Sequence, residues 1–380
     1  MAMAPAPVPG HGHGHGGRLT IDLDALRANY RQMAGLAAPA ECAAAVKADA
    51  YGLGLKPVSR ALWQAGCRTF FVAHLSEAKR LRETLGAGPA VYVLNGLLPG
   101  QPPDFAALDA RPVLCSGEQI AEWAEFCAQG ATPKAAVMID TGFNRLGLSA
   151  GELGALAADR SLAGGIDIAL VISHLACADE PAHKLNAAQQ KRLTAARKIF
   201  PDTQFGLSNS GGIHLGKPFA FDMVRTGIAL YGGRAQASGG NPMAPVVRLD
   251  AAVIQVRDVP GGETIGYGAT YRTKTPARVA LLSIGYGDGF FRSLSASDDQ
   301  PGGKVYFGDH EAKIIGRVSM DITAVDVTDV PHGLVTRGAW AQIIGPQQTA
   351  AALADDAGTI DYEVFTSLGS RYERIYSGLV

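Results

Sequence analysis

An alternation constrains this chain more than any other feature. Eight short β-prone runs recur, at Cys42–Val46, Thr69–Ala73, Ala90–Asn95, Pro112–Cys115, Ala135–Asp140, Ile168–His174, Thr203–Leu207 and Met223–Leu230. Between them lie helical patterns of about 9 to 15 residues, the spacing of βα units. LSEAKRLRETLG reads as a helix with Ser76 at its N-cap and Gly86 at its end. GEQIAEWAEFCAQG puts Ile120, Trp123, Ala124 and Cys127 on one face and stops at Gly130. NAAQQKRLTAARKIF has the composition of a third helix. Eight strand–helix repeats predict an α/β chain whose N-terminal part is a (β/α)8 TIM-type barrel. The competing doubly wound sheet lacks support, because no GxGxxG follows the first run.

The texture differs on either side of this block. Residues 1–17 combine an Ala/Pro-rich stretch with HGHGHGG and cannot bury enough apolar surface to order themselves, so a flexible tail is expected. His11, His13 and His15 could hold a transition metal only weakly, and no resident metal is expected. Residues 18–240 form the expected barrel. From 241 to 380 the β-prone runs VVRLDAAVIQVRDV, ARVALLSIGYG, KVYFGDHEAKIIGRVSMDITAVDV and AWAQIIGP are broken by Gly, Asp and Pro, with one helical stretch at QTAAALADDAG. That predicts a mainly β C-terminal domain.

Charge and cysteine content narrow the classes of partner. Thirty-four Lys and Arg nearly cancel 35 Asp and Glu, for a net charge of −1. Such a balance argues against nucleic acid or a membrane surface as the partner. No apolar run reaches the length of a membrane span. The first residues lack a basic stretch followed by an apolar one, so a secretory leader is not expected. The five cysteines, Cys42, Cys67, Cys115, Cys127 and Cys177, show no metal-ligand spacing. They read as reduced thiols of a cytoplasmic protein.

Barrel enzymes carry their chemistry at the C-terminal ends of the strands. The first strand runs into AAAVKADAYGLG, which would set the Lys47 amine at the barrel mouth. A partly desolvated lysine loses basicity and can form a Schiff base, although a lysine after a strand is in itself a common surface feature. The seventh strand ends in GLSNSGGIHLG, where Ser208, Asn209 and Ser210 lead into a short helix. Hydroxyls and unpaired amides there suit an anion. The eighth carries VRTGIALYG, with Gly227 beside an apolar run. A lysine at one strand end and a phosphate site at the seventh and eighth suggest a phosphorylated aldehyde, and pyridoxal phosphate fits.

AVKADAYGLG resembles the pyridoxal-phosphate lysine motif of bacterial alanine racemases. DTGFNRLG, ISHLACAD, SNSGG, VRTGIALYG, TIGYGATY, LLSIGYGDGF, GRVSMDITAVDV, TIDYEV and LGSRYERIY resemble further blocks of that family, in the family's order, from Leu19 to the C-terminus. The resemblance implies interconversion of L- and D-alanine, for the cell wall or for alanine catabolism, by a homodimer with shared sites. Lys47 would hold the cofactor and act as one acid/base group, and Tyr267 of the opposite subunit would be the other. Racemisation removes a proton from one face of a planar carbanion and returns it to the other, so two groups must flank the carbon.

The same resemblance places Arg225 against the pyridine nitrogen. Tyr51, Ser210, Gly227, Ile228 and Tyr362 would contact the phosphate. His174 would lie against the ring, and Asn209 in the same layer. A histidine after a strand is otherwise more often a core residue. Arg145 would bind the substrate carboxylate, with Met320 on the substrate side. Tyr286, Asp179, Arg292, Arg317 and Asp321 would line the entrance.

One position departs from the family. Many members carry a carbamylated lysine seven residues before the arginine of DTG-x-x-R, and here that residue is Met138. Methionine holds no charge, so another group, an anion or an amide, must steer Arg145. Two neighbouring activities compete: a serine or broad-specificity racemase of the same fold, and a barrel-type pyridoxal decarboxylase. Arg225 counts against the second, because related decarboxylases place an acidic residue there.

Overall fold

The computed structural model describes residues 14–130 and 133–379. They form two compact units, one built on Leu23–Val246 and the other on Val247–Ser377 together with an N-terminal strand.

The strand that opens the described chain, β1 (Gly17–Asp22), belongs to the second unit. The next eight close a barrel: β2 (Glu41–Ala45), β3 (Thr69–Val72), β4 (Ala90–Val93), β5 (Arg111–Leu114), β6 (Lys134–Met138), β7 (Asp167–Ile172), β8 (Gln204–Gly206) and β9 (Met223–Thr226). Neighbours pair in parallel throughout, and β9 closes onto β2 through Cys42 opposite Val224. All eight are the strands expected from sequence. They are legible because a parallel strand in a barrel is buried on both faces and therefore reads as an unbroken apolar run. β3, TFFV, is buried at every position. Ala43, Phe71, Tyr92, Val113, Met138, Leu170, Ile172 and Met223 pack as one cluster in the barrel, with the Phe71 and Tyr92 rings stacked 5.0 Å apart.

Local signals place the helices between the strands. Ser116 caps Gly117–Ala128 by accepting the Gln119 amide at 3.3 Å, and Ile120, Trp123 and Cys127 are its buried face. The helix after β3 begins earlier than the sequence suggests. It spans Leu75–Leu85, so Ser76 lies inside it and is not its cap. Glu77 takes over the capping, accepting the Ala73 and His74 amides at 2.8 and 3.2 Å. The last barrel strand is shorter than expected. After Thr226 the chain turns at Gly227 into a short helical turn, Ile228–Tyr231, that anchors the Tyr231 hydroxyl on the Ala45 carbonyl at 2.8 Å.

The second unit is an eight-stranded sheet. It adds β10 (Val247–Val259), β11 (Ala277–Leu282), β12 (Lys304–Phe307), β13 (His310–Ile314), β14 (Thr323–Asp326), β15 (Trp340–Ile344) and β16 (Glu373–Ser377), in the order β11-β14-β13-β12-β15-β10-β1-β16. Every pair is antiparallel except β1 with β16. Ala350–Ala357 is helical as expected, capped by Thr349 and ended by Gly358.

Two domain limits therefore move. Gly17–Asp22 is neither tail nor barrel. Its alternating pattern, with Leu19 and Ile21 buried between half-exposed Arg18, Thr20 and Asp22, is that of a sheet covered on one face. At the other limit, residues up to Val246 stay with the barrel unit. Asn29 ties them there, exchanging hydrogen bonds of 2.8 and 2.9 Å with the Ala244 backbone. His15 is within the described residues and its Nδ1 lies 2.8 Å from the Arg371 carbonyl; His11 and His13 fall outside them. Among the described residues no cluster of acidic, His or Cys side chains could hold a metal, and no helix is long and apolar enough to cross a membrane.

Candidate active site

The C-terminal ends of the barrel strands bring together Lys47, Tyr51, Arg145, His174, Asn209, Ser210, Arg225, Gly227 and Ile228. Lys47 follows β2 after one residue and is half-buried. Burial, and then the Arg145 guanidinium, pull its amine below the usual lysine range, while Glu77 pulls the other way. A neutral amine is the nucleophilic form.

Arg225 comes from β9 and is buried. Its Nη2 donates to the Ser173 carbonyl, to the Leu207 carbonyl at 3.3 Å and towards His174 Nδ1 at 3.5 Å. Its Nη1 is buried with no partner. Burial lowers its pKa to about 10, still far above neutral, so it stays a cation and a donor. His174 follows β7. Burial, with Arg225, Arg145 and Lys47 nearby, pushes its pKa down to about 3, so the ring is neutral.

Acid should expose that histidine. Its folded pKa is depressed below the ordinary 6.5, so from pH 6.5 down to about 3 the unfolded chain binds a proton that the folded chain refuses. Stability then falls with falling pH by about 1.4 kcal/mol per unit. His174→Gln should flatten the acid limb of unfolding free energy against pH, measured with denaturant. An unchanged slope would remove His174 as its source.

Ser210 opens a short helix that Asn209 caps, accepting the Gly212 amide at 2.9 Å. The Ser210 hydroxyl accepts the Gly227 and Ala229 amides at 2.9 and 3.3 Å and lies 3.3 Å from Thr226 Oγ1. Gly227 is required by a close approach, because a Cβ there would meet the Tyr51 hydroxyl at 2.4 Å. Tyr51 in turn packs on Tyr231, ring centroids 4.6 Å apart.

The DTGFNRLG loop is organised by Asp140, whose carboxylate accepts the Gly142, Phe143 and Asn144 amides at 2.8 to 3.1 Å. Gly147 has φ +117° and leaves no room for a Cβ beside Asp140 N at 2.7 Å. Met138 is buried in the barrel cluster. The Phe143 ring stands against Arg145, 4.2 Å from the guanidinium, and meets His174 edge-on at 5.6 Å. A cation over an aromatic face is a weak but directional attraction.

Sequence reasoning missed two further residues here. Phe143 is inside a recognised motif but works through its ring face. Gln189, fully buried on the helix Lys184–Ala196, donates to the His174 carbonyl at 2.7 Å and to Thr141 Oγ1 at 3.2 Å, and accepts the Ala176 amide at 2.9 Å. It thereby ties the loops after β6 and β7. A buried glutamine in a helix was the available signal, since such a group must find partners.

Seven of the other expected residues stand on the second unit. Tyr267 projects from a short turn between Gly266 and Gly268, both at φ +74°, and is 72% exposed. The Arg317 guanidinium lies against Gly268, where a Cβ would meet Nη1 at 2.8 Å. The Tyr286 turn docks on Ser319 and Met320, with amide bonds of 3.0 and 2.9 Å to their carbonyls. Arg371 bridges Asp288 and Asp321 at 2.7 Å each, so Asp321 is ion-paired. Met320 is exposed. Arg292 and Tyr362 stand on other elements of this unit, the turn Arg292–Leu294 and the helix Asp361–Thr366. Asp179 is on the barrel unit, exposed in the loop after β7, its carbonyl accepting the Ala237 amide at 2.9 Å.

A parallel barrel whose strand ends gather a desolvated lysine, a buried cation and a hydroxyl–amide cradle is that of an enzyme handling an anionic small molecule. The protein belongs to the alanine racemase family. Residues 21–235 match the alanine racemase N-terminal domain and residues 246–376 its C-terminal domain. The chain is 52% identical to "Alanine racemase, catabolic" of Agrobacterium fabrum over 95% of this chain and 92% of that one. It is 47% identical to an alanine racemase of Methylobacterium nodulans over 94% and 95%. Its fold matches the Bartonella henselae alanine racemase crystal structure with covalently bound pyridoxal phosphate, at a TM-score of 0.91 and 39% identity, covering 95% of this chain and 99% of that one.

Proposed function

We propose that the protein is a pyridoxal-phosphate-dependent alanine racemase, a cytoplasmic homodimer that interconverts L- and D-alanine and supplies D-alanine for peptidoglycan. The observation that carries this reading is the unpartnered Arg225 Nη1 buried within the strand ends that also hold Lys47. A buried guanidinium donor without an acceptor fits a ring nitrogen that keeps its lone pair, as pyridoxal phosphate would offer. The glycine gap at Gly227 below Tyr51, with Ser210 beside it, fits the phosphate.

In this reading Lys47 Nζ would hold the cofactor, with Arg225 at its ring nitrogen and His174 and Asn209 beside its ring. Tyr51, Ser210, Gly227, Ile228 and Tyr362 hold its phosphate. When bound, pyridoxal phosphate supplies the electron sink that makes the α-proton of an amino acid removable. Lys47 Nζ and Tyr267 Oη of the partner subunit move that proton on opposite faces of the α-carbon. Arg145 binds the substrate carboxylate, held on the Phe143 ring, and Met320 meets the same carboxylate through its backbone. Tyr286, Asp179, Arg292, Arg317 and Asp321 line the way in, a polar, tyrosine-walled entrance that suits a small amino acid. Arg225 stays a donor at neutral pH, so it does not protonate the ring nitrogen. A ring nitrogen left unprotonated would be a weaker electron sink, which would discourage side reactions such as transamination.

Gly227→Ala should push Tyr51 aside and weaken cofactor retention about 10- to 100-fold, the cost of overpacking a tight site. Equilibrium dialysis followed by absorbance measures it, and unchanged retention would place the phosphate elsewhere.

Hydrogen–deuterium exchange at the α-carbon in D2O, with chiral analysis, tests the activity on L-alanine, L-serine and L-lysine separately. Exchange and racemisation confined mainly to alanine is the expected result. Comparable rates with serine or lysine would make the protein a broad-specificity racemase. Carbon dioxide release without racemisation would overturn the reading.

A further inference from the structure

We infer that Glu77 is a positioning residue whose carboxylate pins a left-handed turn immediately after Lys47 and so fixes where the lysine amine points. The inference rests on Lys47 being the residue that holds the cofactor.

Ala48, Asp49, Ala50 and Tyr51 have φ of 53°, 54°, 56° and 55°. Four consecutive L-residues in this region make a full left-handed turn, which crowds each Cβ against the following carbonyl. The turn carries its own backbone bonds, Ala50 N–H to Val46 O at 2.9 Å, Gly52 N–H to Ala48 O at 2.7 Å and Gly54 N–H to Asp49 O at 2.8 Å. Those bonds do not remove the steric cost, and such a conformation persists only where surrounding groups hold it.

The holding groups come from the helix Leu75–Leu85, in the next βα unit. Glu77 Oε1 accepts the Ala48 amide at 2.6 Å, while its Oε2 accepts Ala73 and His74. One helical turn on, Arg80 donates to Asp49 Oδ1 at 2.7 Å, and that oxygen also accepts the Leu55 amide at 3.0 Å. The helix therefore grips the left-handed turn at its first two residues. The Ala48 amide shares a rigid peptide plane with the Lys47 carbonyl. Holding that amide sets the Lys47 ψ angle and with it the departure of the chain from β2. Charge-assisted bonds from a carboxylate to backbone amides are short and strong, as the 2.6 Å contact is.

Glu77 also carries a charge that acts on Lys47, and the experiment separates the two roles. Three variants, Glu77→Ala, Glu77→Ala with Ala48→Gly, and Arg80→Ala, are stripped of cofactor and remixed with pyridoxal phosphate. The rate of covalent capture is read by absorbance and by borohydride fixation with mass analysis of the Lys47 peptide. Amide exchange of residues 48–54 and the melting temperature are recorded alongside. Glu77→Ala is expected to slow capture about tenfold or more and to speed amide exchange in the turn. Glycine adopts positive φ without a steric cost, so adding Ala48→Gly should recover most of the lost rate without restoring the Glu77 charge. If Glu77→Ala does not fold, Arg80→Ala carries the test, with a smaller slowing in the same direction expected.

Capture and turn protection at the wild-type level in Glu77→Ala would overturn the inference. So would a slowing that Ala48→Gly does not relieve, which would assign the effect to charge. Lys47→Ala is run beside them. Covalent capture by that variant would overturn the Lys47 reading and this inference with it. Its loss, together with wild-type behaviour of Glu77→Ala, would overturn the inference alone.

Discussion

Lys47→Ala should lose covalently held cofactor altogether, and racemisation should fall by more than about 10⁴-fold. Two effects combine. Lys47 Nζ is the barrel-mouth amine whose basicity is lowered by burial, and the next lysine after β2, Lys56, is exposed on the helix Leu55–Gln64. It also removes one of the two acid/base groups, each worth about 10²–10⁴ in rate, and linked losses of this kind are not additive. Absorbance after gel filtration and chiral analysis of alanine measure the two. Retained covalent cofactor would move the assignment to another residue.

Tyr267→Phe should separate binding from chemistry. The tyrosine is 72% exposed on a glycine-flanked turn of the second unit, so losing its hydroxyl disturbs no packing in the chain. Cofactor content should stay at the wild-type level while racemisation falls by about 10²–10⁴-fold. Mixing Lys47→Ala with Tyr267→Phe then tests the shared site. Random exchange puts one intact site in half of the dimers, so about a quarter of wild-type activity should return. No recovery would mean that both groups act from one chain.

The barrel was legible because its strands are short, mostly apolar and followed by residues such as Lys47, Asn95 and His174 that break the apolar run. β1 was not, because its pairing partners lie more than two hundred residues away and a six-residue alternation before a helix resembles an N-terminal extension. The residues that form the barrel mouth were legible through motifs. Their supports were not. Glu77, Gln189 and Phe143 act on backbone amides, carbonyls and a ring face, which leave no spacing to read. The sequence signal that does exist for Glu77 was displaced by two residues, because Ser76 looks like a cap and the helix in fact begins at Leu75. Met138 shows the opposite case. Its type alone predicted an uncharged position, and its place in the barrel cluster agrees.

β1 lies between β10 and β16, strands that reach the chain at Val247 and Glu373. A ribosome adding about 5–20 residues per second makes β1 wait roughly 10 to 45 seconds for its first neighbour, and longer for its second. Throughout that interval the apolar Leu19 and Ile21 lack their sheet partners, while the whole barrel sequence emerges behind them. Birth of the sheet is thus a joining of the two ends of the chain, and any event that cuts synthesis short after the barrel leaves an orphan strand with two open edges.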